Sequence, residues 1–68
     1  MTMSKQTDIN AILAAADSGG VIQASTMLEL TQRGVLPNDP TLHTTMSVES
    51  ALRAAGLSAD EVEEILDR

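Results

Sequence analysis

Three times along this chain, mainly apolar side chains fall at i, i+3, i+4 and i+7, and each time glycine follows within a few residues. The first set is Ile9, Ile12, Leu13 and Ala16, ahead of Gly19 and Gly20. The second is Ala24, Met27, Leu28 and Thr31, widened by Leu30 and followed by Gly34. The third is Val48, Ala51, Leu52 and Ala55, with Gly56 next. This spacing puts the members of each set on one face of an α-helix. Glycine takes the left-handed backbone at a helix end without the penalty of a Cβ. A first helix is therefore expected from a cap at Thr7 or Asp8 to Ser18, with Gly19 in the left-handed position. A second should run from about Gln23 to Arg33, and a third from a cap at Ser47 to Gly56.

A fourth helix is the best specified of all. Ser58 stands three residues before Glu61, and Leu57 and Val62 flank the start. That is a capping box with a hydrophobic staple. Val62, Ile65 and Leu66 make its narrow apolar stripe. The same stretch holds Asp60, Glu61, Glu63, Glu64 and Asp67, five of the ten acids in the chain.

Between the helices lie two apolar connectors, Val21-Ile22 and Val35-Leu36, each behind a glycine. Both read as one local device, a glycine stop followed by re-entry to the core; the alternative is a small two-stranded pairing of these connectors. Asn38-Asp39-Pro40 is a turn, with Pro40 suited to the first position of a helical turn. Thr41 to Thr45 reads as one such turn or as loop. No segment alternates over five residues, so no strand is otherwise expected. Short loops favour antiparallel neighbours. The expected fold is all-α, a compact bundle of four helices with room for one extra short helical turn. It forms a single helical domain, 7–68, behind a disordered polar tail, 1–6.

The core of such a bundle must be purely aliphatic, because the 68 residues include no Phe, Trp or Tyr. A domain this small buries only about 60 % of its unfolded surface. Small folds usually add disulfides, a metal or oligomerisation. Cys is absent and there is one His, so a protein partner or self-association into a homo-oligomer is the expected support. The formal net charge is -6, and Lys5, Arg33, Arg53 and Arg68 are scattered. Phosphate backbones need clustered cations, so direct binding of nucleic acid is excluded, and anionic membrane surfaces are disfavoured on the same ground. Met1 to Thr7 lacks the apolar run of a signal peptide. No stretch nears the ~20 apolar residues that span a bilayer. A cytoplasmic location is expected.

Catalytic chemistry finds little to work with. His43 lies near Asp39, Thr44, Thr45 and Ser47, but a nucleophile and base also need an orienting acid and a pocket. Glu63 and Asp67, like Asp60 and Glu64, are spaced i, i+4. Neither pair fits the alternating oxygen ligands around a glycine of an EF-hand loop, and no Glu-x-x-His is present for a di-iron bundle. Gly19 and Gly20 follow a helix, whereas a phosphate cradle follows a strand. No catalytic, metal or cofactor residue is assigned, and the chain is read as a non-enzyme. Arg53 to Ser58 resembles the helix–glycine–helix joint of helix-turn-helix proteins, but a DNA reader needs basic and amide side chains on its second helix. Here that helix is acidic. The functional reading is contact with a protein partner through Asp60, Glu63, Glu64 and Asp67, with Glu61 occupied by its cap.

Ile12 to Leu36 reads Ile-Leu-Ala-Ala-Ala-Asp-Ser-Gly-Gly-Val-Ile-Gln-Ala-Ser-Thr-Met-Leu-Glu-Leu-Thr-Gln-Arg-Gly-Val-Leu. It resembles the helical C-terminal region of tailed-phage portal proteins. There a helix ends in Gly-Val-Ile, a Ser/Thr-rich helix start follows, and Arg-Gly-Val-Leu closes it before acidic helices. The likeness covers roughly residues 9–66 and departs at Gln23, where the pattern has a capping Ser. Stem, clip and wing regions have no counterpart here. The resemblance implies a phage or bacterial origin, a place in host cytoplasm or virion, and a portal-like, assembly-associated helical piece. The alternative is a small acidic phage-encoded inhibitor that binds a basic surface of a host protein, for example a defence or nucleic-acid-binding protein.

Overall fold

The computed structural model describes residues 5–67, apart from the side chain of Lys5. Of the expected tail, residues 1–4 lie outside the described residues. Helix α1 spans Lys5–Ala15, so it starts ahead of the expected caps at Thr7 and Asp8. Gln6 Nε2 donates to Asn10 Oδ1 at 2.9 Å, an i, i+4 pair that ties the first turn.

The turn after α1 is organised by Asp17. Its Oδ1 accepts from the backbone N–H of Gly19 at 2.8 Å and of Val21 at 3.0 Å. The left-handed residue is Gly20, at φ 74°, and not Gly19 as expected. Val21–Ile22 then form a strand, β1, paired antiparallel with Met46–Ser47, β2. The register sets Val21 opposite Ser47 and Ile22 opposite Met46. Val48 N–H donates to the Gly20 carbonyl at 2.8 Å and extends the ladder. The fold is therefore mainly α with a small sheet, which corrects the expectation of helices alone. Val21-Ile22 does pair, but its partner is not Val35-Leu36.

Helix α2 spans Ala24–Gln32, with Gln23 and Arg33 at its cap positions. Gln23 makes no side-chain cap bond. The C-terminal end is closed by two backbone bonds, Val35 N–H to Leu30 O at 2.9 Å and Gly34 N–H to Thr31 O at 3.1 Å. This is a Schellman motif, with Gly34 left-handed at φ 81°. The same closure recurs after α3, where Leu57 N–H reaches Leu52 O at 3.3 Å and Gly56 N–H reaches Arg53 O at 3.0 Å. The repeated device is thus Gly34-Val35 and Gly56-Leu57, whereas Gly20 leads into a strand.

The extra short turn is a 3-10 helix, Pro40–Leu42, capped by Asp39. Helix α3 spans Val48–Ala54, and Ser47 Oγ accepts from Ser50 N–H at 3.2 Å. Helix α4 spans Ala59–Leu66 with the full capping box: Glu61 N–H donates to Ser58 Oγ at 3.2 Å, and Ser58 N–H donates to Glu61 Oε1 at 3.1 Å. The staple residues Leu57 and Val62 are both buried.

Helix α3 is the hub; it packs on α1, on α4 and on both strands, while α1 also meets α2. The core joins Ile9 and Ile12 of α1, Ile22 of β1, Met27 and Leu30 of α2, Val35, Leu36 and Leu57 of the connectors, Ala51 and Leu52 of α3, and Val62 of α4. No polar side chain is buried with them among the described residues. The inward edge in α1, α2 and α4 runs through Ile9/Ile12, Ala24/Met27 and Val62/Ile65, which are i, i+3 pairs. The expected i+4 members Leu13, Leu28 and Leu66 are instead 38 %, 41 % and 44 % exposed. At 3.6 residues per turn, i+3 and i+4 fall on opposite sides of i. A short helix that leans toward one of them turns the other outward.

Candidate functional site

Helix α4 holds its carboxylates by simple geometry. Val62 is driven into the core and Ile65 is half-buried beside it, which leaves the opposite flank to Asp60, Glu63, Glu64 and Asp67. All four are exposed. Glu61 lies toward the cap, where its carboxylate holds Ser58 N–H as expected.

The structure divides the four expected partner-binding residues. Glu63 and Asp67 line an open groove of ≈ 410 Å³ together with Ala59, Val62 and Leu66 of α4 and Glu49 and Arg53 of α3. Asp60 and Glu64 are not among its lining residues. Within α4, Ala59, Val62 and Leu66 are spaced i, i+3, i+7 on one face; Ala59 and Leu66 are exposed and Val62 is buried between them. Glu63 and Asp67, i, i+4 apart, edge that face on one side. Glu49 and Arg53, also i, i+4 apart, border it from α3. Among the described residues the lining thus has an aliphatic base, three carboxylates and one guanidinium.

Sequence reading missed Glu49, Arg53, Ala59 and the outward set of Leu66. A faint signal was present, since Glu49 and Arg53 share a face of α3 off its apolar stripe. Which face of α4 they would meet depends on how Ala51 and Leu52 pack against α4, and no spacing rule contains that.

The charges of α4 are set unevenly against its dipole. Asp60 and Glu61 stand in the first turn, where the helix end is positive. The last turn has no base but holds Glu63 and Glu64, with Asp67 at the C-cap, near the negative carbonyl end. Asp60/Glu64 and Glu63/Asp67 are like-charged i, i+4 pairs, which also oppose the helix. Among the described residues, the last turn of α4 has no basic side chain to offset its acids.

Around His43 the arrangement is structural. Asp39 Oδ1 accepts from Thr41 N–H at 3.0 Å and from Thr41 Oγ1 at 2.8 Å. The backbone bond first, then the hydroxyl, hold the Asp39 carboxyl below the ordinary aspartate range; a slight desolvation opposes them, and His43 adds the smallest contribution. Ser47 Oγ is committed to the start of α3. Among the described residues, no group of three or more His, Asp or Glu side chains is placed to hold a metal. Nor is any helix there long and apolar enough to cross a membrane.

No protein-family model matches the chain, and neither curated proteins nor solved structures include one similar to it.

Proposed function

We propose that this chain is a non-catalytic protein–protein interaction module of phage or bacterial origin, acting in host cytoplasm or in a virion, and that it docks against a basic protein surface through α4. The observation that carries the reading is the flank of α4, where Asp60, Glu63, Glu64 and Asp67 are all exposed and the last turn has no base of its own. A cationic surface relieves the repulsion within the helix and gains Coulomb attraction at the same time. An inhibitor of a host protein is the form of this function that the charge supports best.

A second form, a portal-like piece packed within a larger assembly, is favoured by a different observation. Leu13 and Leu28 are 38 % and 41 % exposed, and apolar side chains left outside a small core gain by being covered. The resemblance of residues 9–66 to a portal region points the same way.

The test compares the natural chain with a variant carrying Asp60→Asn, Glu63→Gln, Glu64→Gln and Asp67→Asn, both used to capture proteins from bacterial lysate. Under the docking reading, proteins retained by the natural chain are lost by the variant and are released by salt, because exposed charges are screened beyond about 8–10 Å at 0.1–0.15 M. Identical retention by both would sink it. Light scattering over a concentration series addresses the second form: growth of the particle that Leu13→Gln or Leu28→Gln abolishes would favour assembly, and a monomer throughout would count against self-association.

A further inference from the structure

We infer that the groove between α3 and α4 is the seat for a cationic amphipathic helix of the partner protein. This deepens the docking reading and rests on it: the flank supplies attraction, and the groove supplies fit.

Three features of the groove select this occupant. First, its apolar surface comes from Ala59 and Leu66, on one face of α4 about 10 Å apart, nearly two turns, with Val62 buried between them. An incoming helix offers side chains at the same pitch, so its apolar stripe can lie along that face, the mode of helix-in-groove recognition. Leu66 is the contact with most to gain, since it is 44 % exposed before binding. Second, among the described residues the borders carry Glu49, Glu63 and Asp67 against one cation, Arg53. Lysine or arginine flanking the incoming stripe meets a carboxylate on either side. Third, the end of the groove near Leu66 and Asp67 coincides with the carbonyl end of α4, which favours a cation in addition to the side-chain charges.

The alternatives fit less well. A second copy of this chain has net charge -6 and would set carboxylate against carboxylate. An extended strand needs an open sheet edge, and no residue of either strand lines the groove. Arg53 adds direction. Among the described residues it is the place on the border where a partner's acidic residue is preferred over a basic one, so the two orientations of a bound helix are unequal.

The experiment titrates the full chain, isotope-labelled for NMR, with two peptides of about 18 residues, five helical turns. Both contain only leucine and lysine. One places leucine at i, i+3, i+4 and i+7; the other has the same composition in scrambled order. The amphipathic peptide is expected to bind about tenfold or more tightly than the scrambled one, the scale at which an anchoring contact shows. Its shifts should centre on the amides of Arg53, Ala59, Glu63 and Leu66. Leu66→Gln and Glu63→Gln should each weaken it several-fold, and Asp60→Asn and Glu64→Gln, which remove attraction supplied from outside the groove, should each weaken it less. These side chains are exposed, and a cooperative thermal transition confirms that each variant is folded. Equal binding of both peptides, with shifts centred on Asp60 and Glu64, would overturn the groove while leaving the acidic flank as the docking surface. Shifts centred on Leu13 and Leu28 would also overturn it. Absence of binding by either peptide would remove the groove and the charge-based reading together.

Discussion

Helices α3 and α4 pack side by side and both start at a serine, yet they handle charge in opposite ways. In α3, Glu49 stands in the first turn and Arg53 in the last, each complementing the end of the helix dipole it faces. In α4 the first turn is acidic in the same favourable sense, but the last turn holds only acids among its charged residues. The division extends to packing. Helix α3 puts Ala51 and Leu52 into the core without exposed area, whereas α4 buries Val62 and leaves Leu66 out. The neighbour that serves the fold is electrostatically settled. The neighbour proposed to bind keeps charge and apolar surface exposed.

The contrast can be broken most forcefully at its packing. Leu52→Ala removes a fully buried side chain from the hub, a change that costs about 2–5 kcal/mol in a core, enough to abolish folding of a domain this small. Leu66→Ala, at a largely exposed site, should cost less than ~1 kcal/mol by the transfer scale. Urea unfolding followed by circular dichroism measures both, there being no aromatic fluorophore. Similar losses at the two sites would mean that α4 is as much a core element as α3.

The caps give the next effect. Ser58→Ala should lower stability by ~1 kcal/mol, more than Ser47→Ala, because only Ser58 belongs to a reciprocal capping box. An equal or reversed order would show that Glu61 adds nothing to the start of α4.

Charge gives a smaller effect, but one with a sign. Glu64→Lys turns a like-charged pair with Asp60 into an acid-before-base pair and places a cation near the carbonyl end. It should stabilise the free protein by roughly 0.5–1 kcal/mol, while Arg53→Glu in α3 should destabilise by roughly 0.3–1 kcal/mol. Thermal midpoints at low and high salt check both, and both differences should shrink as salt rises. Two shifts of the same sign would erase the distinction between the helices.

The smallest effect lies outside the pair and concerns pH. The Asp39 carboxyl is held below the ordinary aspartate value by Thr41. A depressed folded value means that its contribution is present above the unfolded pKa and is lost as pH falls through the folded one. A carboxyl titration by NMR should find Asp39 titrating below the ordinary range, and Thr41→Val should move it partway back, since the backbone bond remains.

What could be read from the sequence was local. The capping box of α4 was legible because four residues within one turn contain all of it. The ends of α2 and α3 were legible because glycine there is a conformational requirement, with φ of 81° at Gly34 and 102° at Gly56. The sheet was hidden for the opposite reason. A two-residue strand has no alternation to detect, and the partner of Val21-Ile22, Met46-Ser47, lies beyond α2 and the 3-10 turn in the chain. Leu13, Leu28 and Leu66 were misplaced because a stripe admits both i+3 and i+4, and the crossing of whole helices decides between them. The candidate site was half legible on the same principle. Its acids share one helix and announce themselves, while Glu49 and Arg53 arrive from a neighbour.

The small sheet has a consequence for how the molecule tolerates a break. Residues 37–41 are exposed, the kind of segment where backbone cleavage is best accepted. Everything before them, α1, β1 and α2, grips everything after through Val21–Ile22 against Met46–Ser47 and through α1 against α3. Severed there, the protein would become two complementary fragments. Neither would own a finished interior, and each would supply the template on which the other refolds.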